Sequence, residues 1–67
     1  MLSARNQFKG RIKEVKLGQV MAEIVIKVGD LEVVSLISRT SAERMGLKVG
    51  DQATAVVKAT EVMVDKS

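Results

Sequence analysis

The 67-residue chain contains no cysteine, no histidine and no proline, and Phe8 is its only aromatic residue. Without cysteine, the chain can form neither a disulfide nor a thiolate metal site. Without histidine, it lacks imidazole-ligated zinc and any serine or cysteine nucleophile that an imidazole would activate. Its eight carboxylates show no paired metal-binding spacing, and no glycine-rich phosphate loop is present. The sequence therefore predicts a protein that is not an enzyme and in which no side chain ligates a metal directly.

The short length of the chain predicts a partner. A domain of this size buries only about 60% of the surface that its unfolded chain exposes, and such domains usually depend on disulfides, a metal or oligomerisation. Because the first two are excluded, we expect a homo-oligomer. No apolar run approaches the roughly 18 residues that span a bilayer, and the first residues do not resemble a signal peptide. We therefore expect a cytoplasmic protein without a membrane partner.

The net charge of the chain suits an anionic partner. The net charge is +3, from 11 basic and 8 acidic residues that are dispersed along the chain. This excess is too mild and too spread out for a polybasic nucleic-acid or membrane patch. Single-stranded nucleic acid is usually bound by stacking bases on aromatic side chains, and this chain has one. We therefore expect no nucleic-acid partner.

Alternating apolar residues predict five β-strands. In the first strand the apolar phase changes between Ile12 and Val15, which predicts a β-bulge near residues 13–14. Gly10 within that strand predicts a bend or a close backbone approach, and Gly29-Asp30 is typical of a two-residue hairpin loop. The predicted strands are residues 8–17, 19–28, 31–38, 53–58 and 62–64.

The third strand carries apolar residues on both faces. Val33 and Ile37 share one face, and Val34 and Leu36 share the other, so we expect a second subunit to cover the outer face. A helical turn over residues 40–46 follows this strand. Its expected N-cap is Thr40 or Ser41, with Glu43 at the capping-box spacing from Thr40, and Gly46 is expected at the C′ position. Five strands, with one short helical turn between strands 3 and 4, predict an all-β fold: a small five-stranded OB-like barrel.

The densest group of hydrogen-bond donors is the opening segment, residues 3–7, which offers a hydroxyl, a guanidinium and two amides. Composition alone favours a simpler reading, in which this segment is a solvated terminal strand. Ser41 is likewise explained as a helix cap, although helix N-termini also bind anions. Lys58 is explained as a strand-end lysine that reaches water.

The order of these motifs resembles a known family. Residues 3–10, Ser-Ala-Arg-Asn-Gln-Phe-Lys-Gly, are similar to the opening motif of the molybdenum-binding Mop domain, the fold of the small molbindin proteins. Residues 33–38, 41–43 and 45–47 are similar to the middle of that domain, and residues 55–63 to its end. The resemblance covers essentially the whole chain, so residues 1–67 are expected to form a single Mop domain. The opening motif is its most specific part.

The resemblance implies an OB-like barrel assembled as a hexamer, a trimer of dimers, that binds molybdate or tungstate between subunits for intracellular molybdenum storage. It further implies that residues 3–5 meet the anion from one chain, and that Ser41, Lys58 and Ala59 complete the pocket, some of them from a neighbouring chain. Asn6, which follows these residues in the opening motif, is included among the candidate oxyanion-binding residues. The candidate oxyanion-binding residues are Ser3, Ala4, Arg5, Asn6, Ser41, Lys58 and Ala59.

Two other classes of function stay open at this point. The first is an OB-type nucleic-acid-binding module, which a calculated pI near 9.6 permits and which steeply salt-dependent binding of oligonucleotides would support. The second is an assembly module that binds only protein, in which case no oxyanion would bind at low concentration.

Overall fold

A computed structural model describes residues 5–66 of the chain and shows an all-β domain with one helix. The predicted helix between the third and fourth strands is confirmed. A short 3-10 turn, Ala59–Glu61, follows the last strand. The elements are β1 (Asn6–Leu17), β2 (Met21–Val28), β3 (Leu31–Ser38), α1 (Arg39–Met45) and β4 (Gln52–Val57).

The four strands form one antiparallel sheet in the order β3-β2-β1-β4. Strand β1 is long enough to pair with two neighbours: its first half pairs with β4 and its second half with β2. The two ladders overlap at Arg11, which lies opposite both Gln52 and Lys27. The sheet curls about this point into an OB-like half-barrel, and β3 and β4 are left as its edge strands.

The expected fifth strand does not form within this chain. Residues 62–66 form no regular element and pair with no strand of the described chain. Met63 is 93% exposed and Val64 is 92% exposed. The apolar pattern of a strand is therefore present, but these residues pair with neither edge strand of the described chain. The barrel stays open between β3 and β4.

Two irregularities of β1 curl the sheet, and both were predicted. The register shifts between Ile12 and Glu14, which confirms the bulge. At Gly10 the chain comes so close to β2 that a Cβ atom would lie 2.2 Å from the Lys27 carbonyl oxygen and 2.9 Å from Val28 Cγ2. Only glycine fits there, and the close approach lets β1 pass from β2 to β4.

The core is small and entirely aliphatic. Val33, Ile37 and Leu47 pack around it, and the described residues include no buried polar side chain. On the outer face of β3, Val34 is 59% exposed and Leu36 is 67% exposed. This strand is therefore apolar on both faces, as predicted, while its cover by a second subunit stays a prediction. The clustered buried residues are Ile12, Ala22, Ile24, Ile26, Ala42 and Ala55.

The N-cap of α1 corrects the sequence prediction. The cap is Ser38, whose Oγ accepts a hydrogen bond of 3.1 Å from the Ser41 N–H. Neither Thr40 nor Ser41 caps the helix, because the helix begins at Arg39 and both residues lie inside its first turn. The predicted C′ glycine is confirmed, since Gly46 has a left-handed φ of 63°.

Candidate functional site

The β1–β4 ladder brings the start of β1 next to the end of β4. Asn6 is paired with Val57, so the positions just beyond this pair are Arg5 and Lys58. Ala59 follows immediately and begins the 3-10 turn. Four of the predicted site residues therefore meet at one end of the sheet. We call this group, Arg5, Asn6, Lys58 and Ala59, the Arg5–Lys58 corner.

The positive charge of this corner is not neutralised within residues 5–66. Neither the Arg5 guanidinium nor the Lys58 ammonium makes a side-chain hydrogen bond or an ion pair there. Both side chains belong to exposed residues. The nearest acidic residue along the chain is Glu61 in the 3-10 turn, and it pairs with neither cation among these residues. Two cations are thus free to meet an anion.

Several other cations are already engaged by carboxylates. Lys13 forms an exposed ion pair with Glu32, and Lys16 lies 3.2 Å from Glu14 Oε1. The hydrogen bond from Lys13 raises its own pKa and lowers that of Glu32. The hydrogen bond to Glu14 likewise raises the pKa of Lys16. Both lysines are therefore paired with carboxylates on the surface of the sheet, and neither belongs to the Arg5–Lys58 corner.

The backbone of the corner supplies further donors. The 3-10 turn is closed by hydrogen bonds from the Glu61 N–H to the Lys58 carbonyl, 2.9 Å, and from the Val62 N–H to the Ala59 carbonyl, 3.3 Å. No side chain caps the start of the turn, and the N–H groups of Ala59 and Thr60 donate no hydrogen bond within the described part of the chain. Such first-turn N–H groups carry partial positive charge and suit an anion.

The backbone also bends at the other side of the corner. The Gln7 N–H donates a 3.1 Å hydrogen bond to the Arg5 carbonyl, which is the i to i+2 pattern of a γ-turn around Asn6. This turn fixes the direction in which the chain approaches from Arg5. Asn6 itself is half-buried and paired with Val57, so its first role here is to register β1 against β4.

Ser41 does not belong to the same corner of the chain. It lies in the first turn of α1, and that turn is anchored at the opposite end of the sheet by a 2.8 Å hydrogen bond from the Arg39 N–H to the Val20 carbonyl. The 12-residue strand β1 lies between this end of the sheet and the Arg5–Lys58 corner. Within the described residues the Ser41 hydroxyl is hydrogen-bonded to Ser38 and not to Arg5 or Lys58.

The remaining predicted residues, Ser3 and Ala4, lie outside the described residues, so their assignment stays a prediction.

The sequence analysis did not identify Ser38, whose hydroxyl donates a hydrogen bond to the Ser41 hydroxyl at 2.8 Å. The spacing Ser38-x-x-Ser41 carries this signal, because it is the spacing of a cap that reaches its N3 residue.

The described residues hold no group of three acidic side chains that could bind a metal ion. None of the helices within residues 5–66 has the length and apolarity to cross a membrane. The chemistry available at the corner is thus that of hydrogen-bond donors and positive charge, which binds oxyanions through charge-assisted hydrogen bonds.

Known proteins with similar sequences and structures carry molybdenum names. The chain is 48% identical over 64 residues to molybdenum-pterin-binding protein 3 of Clostridium pasteurianum, and the match covers 94% of each chain. A molybdate-binding protein from Sporomusa ovata superimposes with a TM-score of 0.94 at 41% identity, covering 98% of both chains. The cytoplasmic molybdate-binding protein ModG, in a form with molybdate bound, superimposes with a TM-score of 0.83 at 37% identity, over 88% of this chain and 43% of that one.

A family model agrees with these similarities. The model of the TOBE domain matches residues 2–64, which includes every described strand, the helix and the Arg5–Lys58 corner. The resemblance stated from the sequence motifs is confirmed by the molybdenum-pterin-binding relatives. This chain belongs to the TOBE domain family.

Proposed function

We propose that the chain binds molybdate, and tungstate equally well, between copies of itself, and that it stores this oxyanion in the cytoplasm without acting on it as an enzyme. The observation that carries the proposal is the Arg5–Lys58 corner, where two cations that have no carboxylate partner among residues 5–66 lie beside backbone N–H groups that donate no hydrogen bond to those residues. The similarity to molybdate-binding proteins names the oxyanion class that such a donor set would hold.

The chemistry of molybdate matches a site rich in hydrogen-bond donors. Molybdate is a dianion with four acceptor oxygens and no hydrogen to donate. Each charge-assisted hydrogen bond contributes about 1.5–3 kcal/mol. Three or four of them sum to about 5–12 kcal/mol, a range that includes the roughly 8 kcal/mol of a micromolar dissociation constant.

The same donor set predicts the selectivity. Phosphate is partly protonated at neutral pH, and the Arg5, Lys58 and backbone N–H groups offer its hydrogen no acceptor, so we expect phosphate to bind more weakly than molybdate. Sulfate carries the same charge as molybdate but is smaller, so discrimination against it depends on how well the pocket is filled. Tungstate nearly equals molybdate in size and charge, and we expect the two to bind with similar affinity.

In this proposal the roles are divided between chains. The Arg5 guanidinium offers a planar fork of donors, Lys58 adds a compact charge, and Ala59 donates its N–H. Ser41 of a neighbouring copy adds its hydroxyl; the proposal takes it from another chain because α1 and the Arg5–Lys58 corner adjoin opposite ends of β1. Ser3 and Ala4 would donate from the segment before Arg5. The proposed assembly is a homo-oligomer, and the family resemblance makes it a hexamer built as a trimer of dimers.

Affinity measurements on single variants test the donor roles. Arg5→Ala and Lys58→Ala should each weaken molybdate binding at least tenfold in isothermal titration, since each removes one charge-assisted contact. Lys27→Ala is the matched control, because Lys27 is an exposed lysine on β2, away from the corner. Native mass spectrometry with molybdate, and with sulfate as a control, gives the stoichiometry. Wild-type affinity in the Lys58 variant would overturn its assignment.

Subunit mixing tests whether each site is shared between chains. Lys58→Ala and Ser41→Ala chains are unfolded, mixed and refolded together. If one site takes Lys58 and Ser41 from different chains, some sites in the mixed oligomer contain both native residues, and tight binding reappears at a fraction of the sites. If the two residues act from the same chain, every site in the mixture lacks one of them and no tight binding is recovered.

A further inference from the structure

Helix α1 is held to the sheet by little apolar packing. Ala42 is the only one of its seven residues that is buried, and an alanine methyl group buries far less apolar area than a leucine or isoleucine side chain. Leu47, which follows the helix, adds a partly buried side chain. A helix of about two turns is also too short to be stable by itself. The direction in which α1 points therefore depends on polar contacts at its ends.

Arg39, the first residue of α1, makes two of those contacts with the turn that joins β1 to β2. Its N–H donates a 2.8 Å hydrogen bond to the Val20 carbonyl. Its guanidinium Nη1 donates another, of 3.2 Å, to the Gly18 carbonyl. One residue thus fastens the start of the helix to the β1–β2 turn at two points, one through the backbone and one through the side chain.

The Arg39 guanidinium is itself held in place from the helix. Its Nε lies 3.5 Å from Glu43 Oε2, one helical turn further along the chain. Because the Arg39 side chain is 41% exposed, this ion pair by itself contributes little stability. Its effect is geometric. A carboxylate on one edge and a carbonyl on another fix the plane of the guanidinium, which the point charge of a lysine could not reproduce.

Ser41 lies in the same first turn, two residues after Arg39. Its hydroxyl is hydrogen-bonded to that of Ser38 at 2.8 Å, and its N–H donates to the Ser38 Oγ at 3.1 Å. Ser38 therefore fixes Ser41 relative to the helix, whereas Arg39 fixes the helix relative to the sheet. Within residues 5–66, no side-chain hydrogen bond or ion pair joins Arg39 to either serine.

We propose that Arg39 is a positioning residue for the oxyanion site: it holds the first turn of α1 against the β1–β2 turn, and thereby holds the Ser41 hydroxyl where an anion receives its hydrogen bond. This role rests on the proposed function, because Arg39 acts only through Ser41. A donor that is held in place before the ligand arrives lowers the ordering cost of binding. When Ser41 and the Arg5–Lys58 corner come from different copies, the direction of α1 decides whether the hydroxyl faces the anion.

The positive charge of Arg39 is a second way in which it could affect an anion, and Arg44 separates the two effects. Arg44 is an exposed cation on the same helix that makes no side-chain hydrogen bond or ion pair among residues 5–66. Arg44→Ala therefore removes the same charge from α1 while leaving the contacts of Arg39 intact.

Isothermal titration with molybdate measures the effect of Arg39→Ala. The backbone hydrogen bond to Val20 can still form in this variant, so we expect the chain to fold. The affinity should fall about threefold, within the range of one lost hydrogen bond, and by no more than in Ser41→Ala. Arg44→Ala should stay close to the wild type at physiological salt, where exposed charges are largely screened. Equal losses in the Arg39 and Arg44 variants would overturn the positioning role.

A double-mutant cycle with Ser41→Ala supplies a readout that a purely structural role would not move. If Arg39 acts through Ser41, then adding Arg39→Ala to the Ser41→Ala protein weakens molybdate binding no further. If Arg39 contacts the anion itself, or only stabilises the fold, the same loss of affinity appears in both backgrounds, and that result would refute the proposal.

Hydrogen exchange tests the attachment of α1 without any ligand. The amides of α1 should exchange faster in Arg39→Ala than in Arg44→Ala, while those of the β1–β4 ladder stay protected. Unchanged exchange in α1 would contradict the role of Arg39. A wild-type protein that binds no molybdate refutes the proposed function, whereas a protein that binds molybdate and loses affinity in Ser41→Ala but not in Arg39→Ala refutes only the positioning role.

Discussion

The close approach of β1 to β2 at Gly10 makes a sharp prediction for Gly10→Ala. The added Cβ would lie 2.2 Å from the Lys27 carbonyl oxygen, whereas an unstrained carbon–oxygen contact is about 3.3 Å or longer. The two strands would have to separate by about 1 Å. Because Lys27 is paired with Arg11 in the β1–β2 ladder, that movement would break ladder hydrogen bonds where the sheet curls.

The magnitude follows from two opposing effects. Overpacking of this kind costs about 1–3 kcal/mol and occasionally more, and here the clash is with backbone, which cannot rotate away. Alanine in place of glycine restricts the unfolded chain and returns about 0.4–1 kcal/mol. We expect a net loss of about 2 kcal/mol, which lowers the melting temperature of a domain of this size by about 8–16 °C.

Thermal unfolding followed by circular dichroism measures this loss, with protein concentration held fixed because stability of an oligomer depends on it. Gly18→Ala is the matched control. Its Cβ would meet only the Met21 carbonyl oxygen, at 3.0 Å, so a shift of a few tenths of an ångström relieves it. If Gly10→Ala melts within about 2 °C of the Gly18 variant, the close approach at Gly10 does not limit the fold and the reasoning is refuted.

Three further predictions concern the surface and the helix. Ser38→Ala should cost about 1 kcal/mol because it removes the N-cap, while Thr40→Ala should be nearly neutral in the same urea titration; equal effects would contradict the cap assignment. Gly46→Ala should cost about 1 kcal/mol, since a left-handed φ is unfavourable for alanine, and a stabilised variant would argue against this geometry. The lowered pKa of Glu32 means that its pairing with Lys13 stabilises the fold above the ordinary carboxyl range and is lost as pH falls through the lowered value. Glu32→Gln should remove that part of the acid dependence of the melting temperature, and a wild-type acid profile in the variant would count against the pair.

Local signals in the sequence predicted most of the fold. The phase change in β1, the glycine inside that strand and the Gly29-Asp30 loop each depend on neighbouring residues, and the structure confirms all three. The cap prediction was wrong by a small margin. Thr40 and Ser38 both offer hydroxyls at suitable spacings. The helix can begin only after β3 ends, and the last pair of the β2–β3 ladder is Met21–Ser38, so Ser38 is the cap.

The fifth strand shows where local signals end. Residues 62–64 have the pattern of a strand, but a strand exists only when a neighbour pairs with it, and pairing depends on the direction in which the 3-10 turn sends the chain. Two backbone hydrogen bonds, accepted by the Lys58 and Ala59 carbonyls three to four residues before Val62, fix that turn. No periodicity within residues 62–64 could have revealed it.

The candidate site depended on register, which composition does not contain. On residue types alone, Arg5 and Lys58 are two ordinary exposed cations, and the solvated reading of the opening segment was favoured. The resemblance to the Mop domain brought them together in the prediction, and the ladder that pairs Asn6 with Val57 shows how the chain does so. What distinguishes Arg5 and Lys58 is therefore that the ladder places them side by side, since Lys9 and Lys27 are exposed cations too.

The position of Ser41 relative to the Arg5–Lys58 corner bears on assembly. The motif comparison places both in one anion pocket, yet within the described residues Ser41 lies beside the far end of β1 and is hydrogen-bonded to Ser38. A site that takes them from two chains would need an oligomer. The small aliphatic core and the open edge between β3 and β4 favour assembly on independent grounds. An anion bound between chains would stabilise only the assembled state by mass action, and ligand binding and oligomer stability would then be two measurements of one equilibrium.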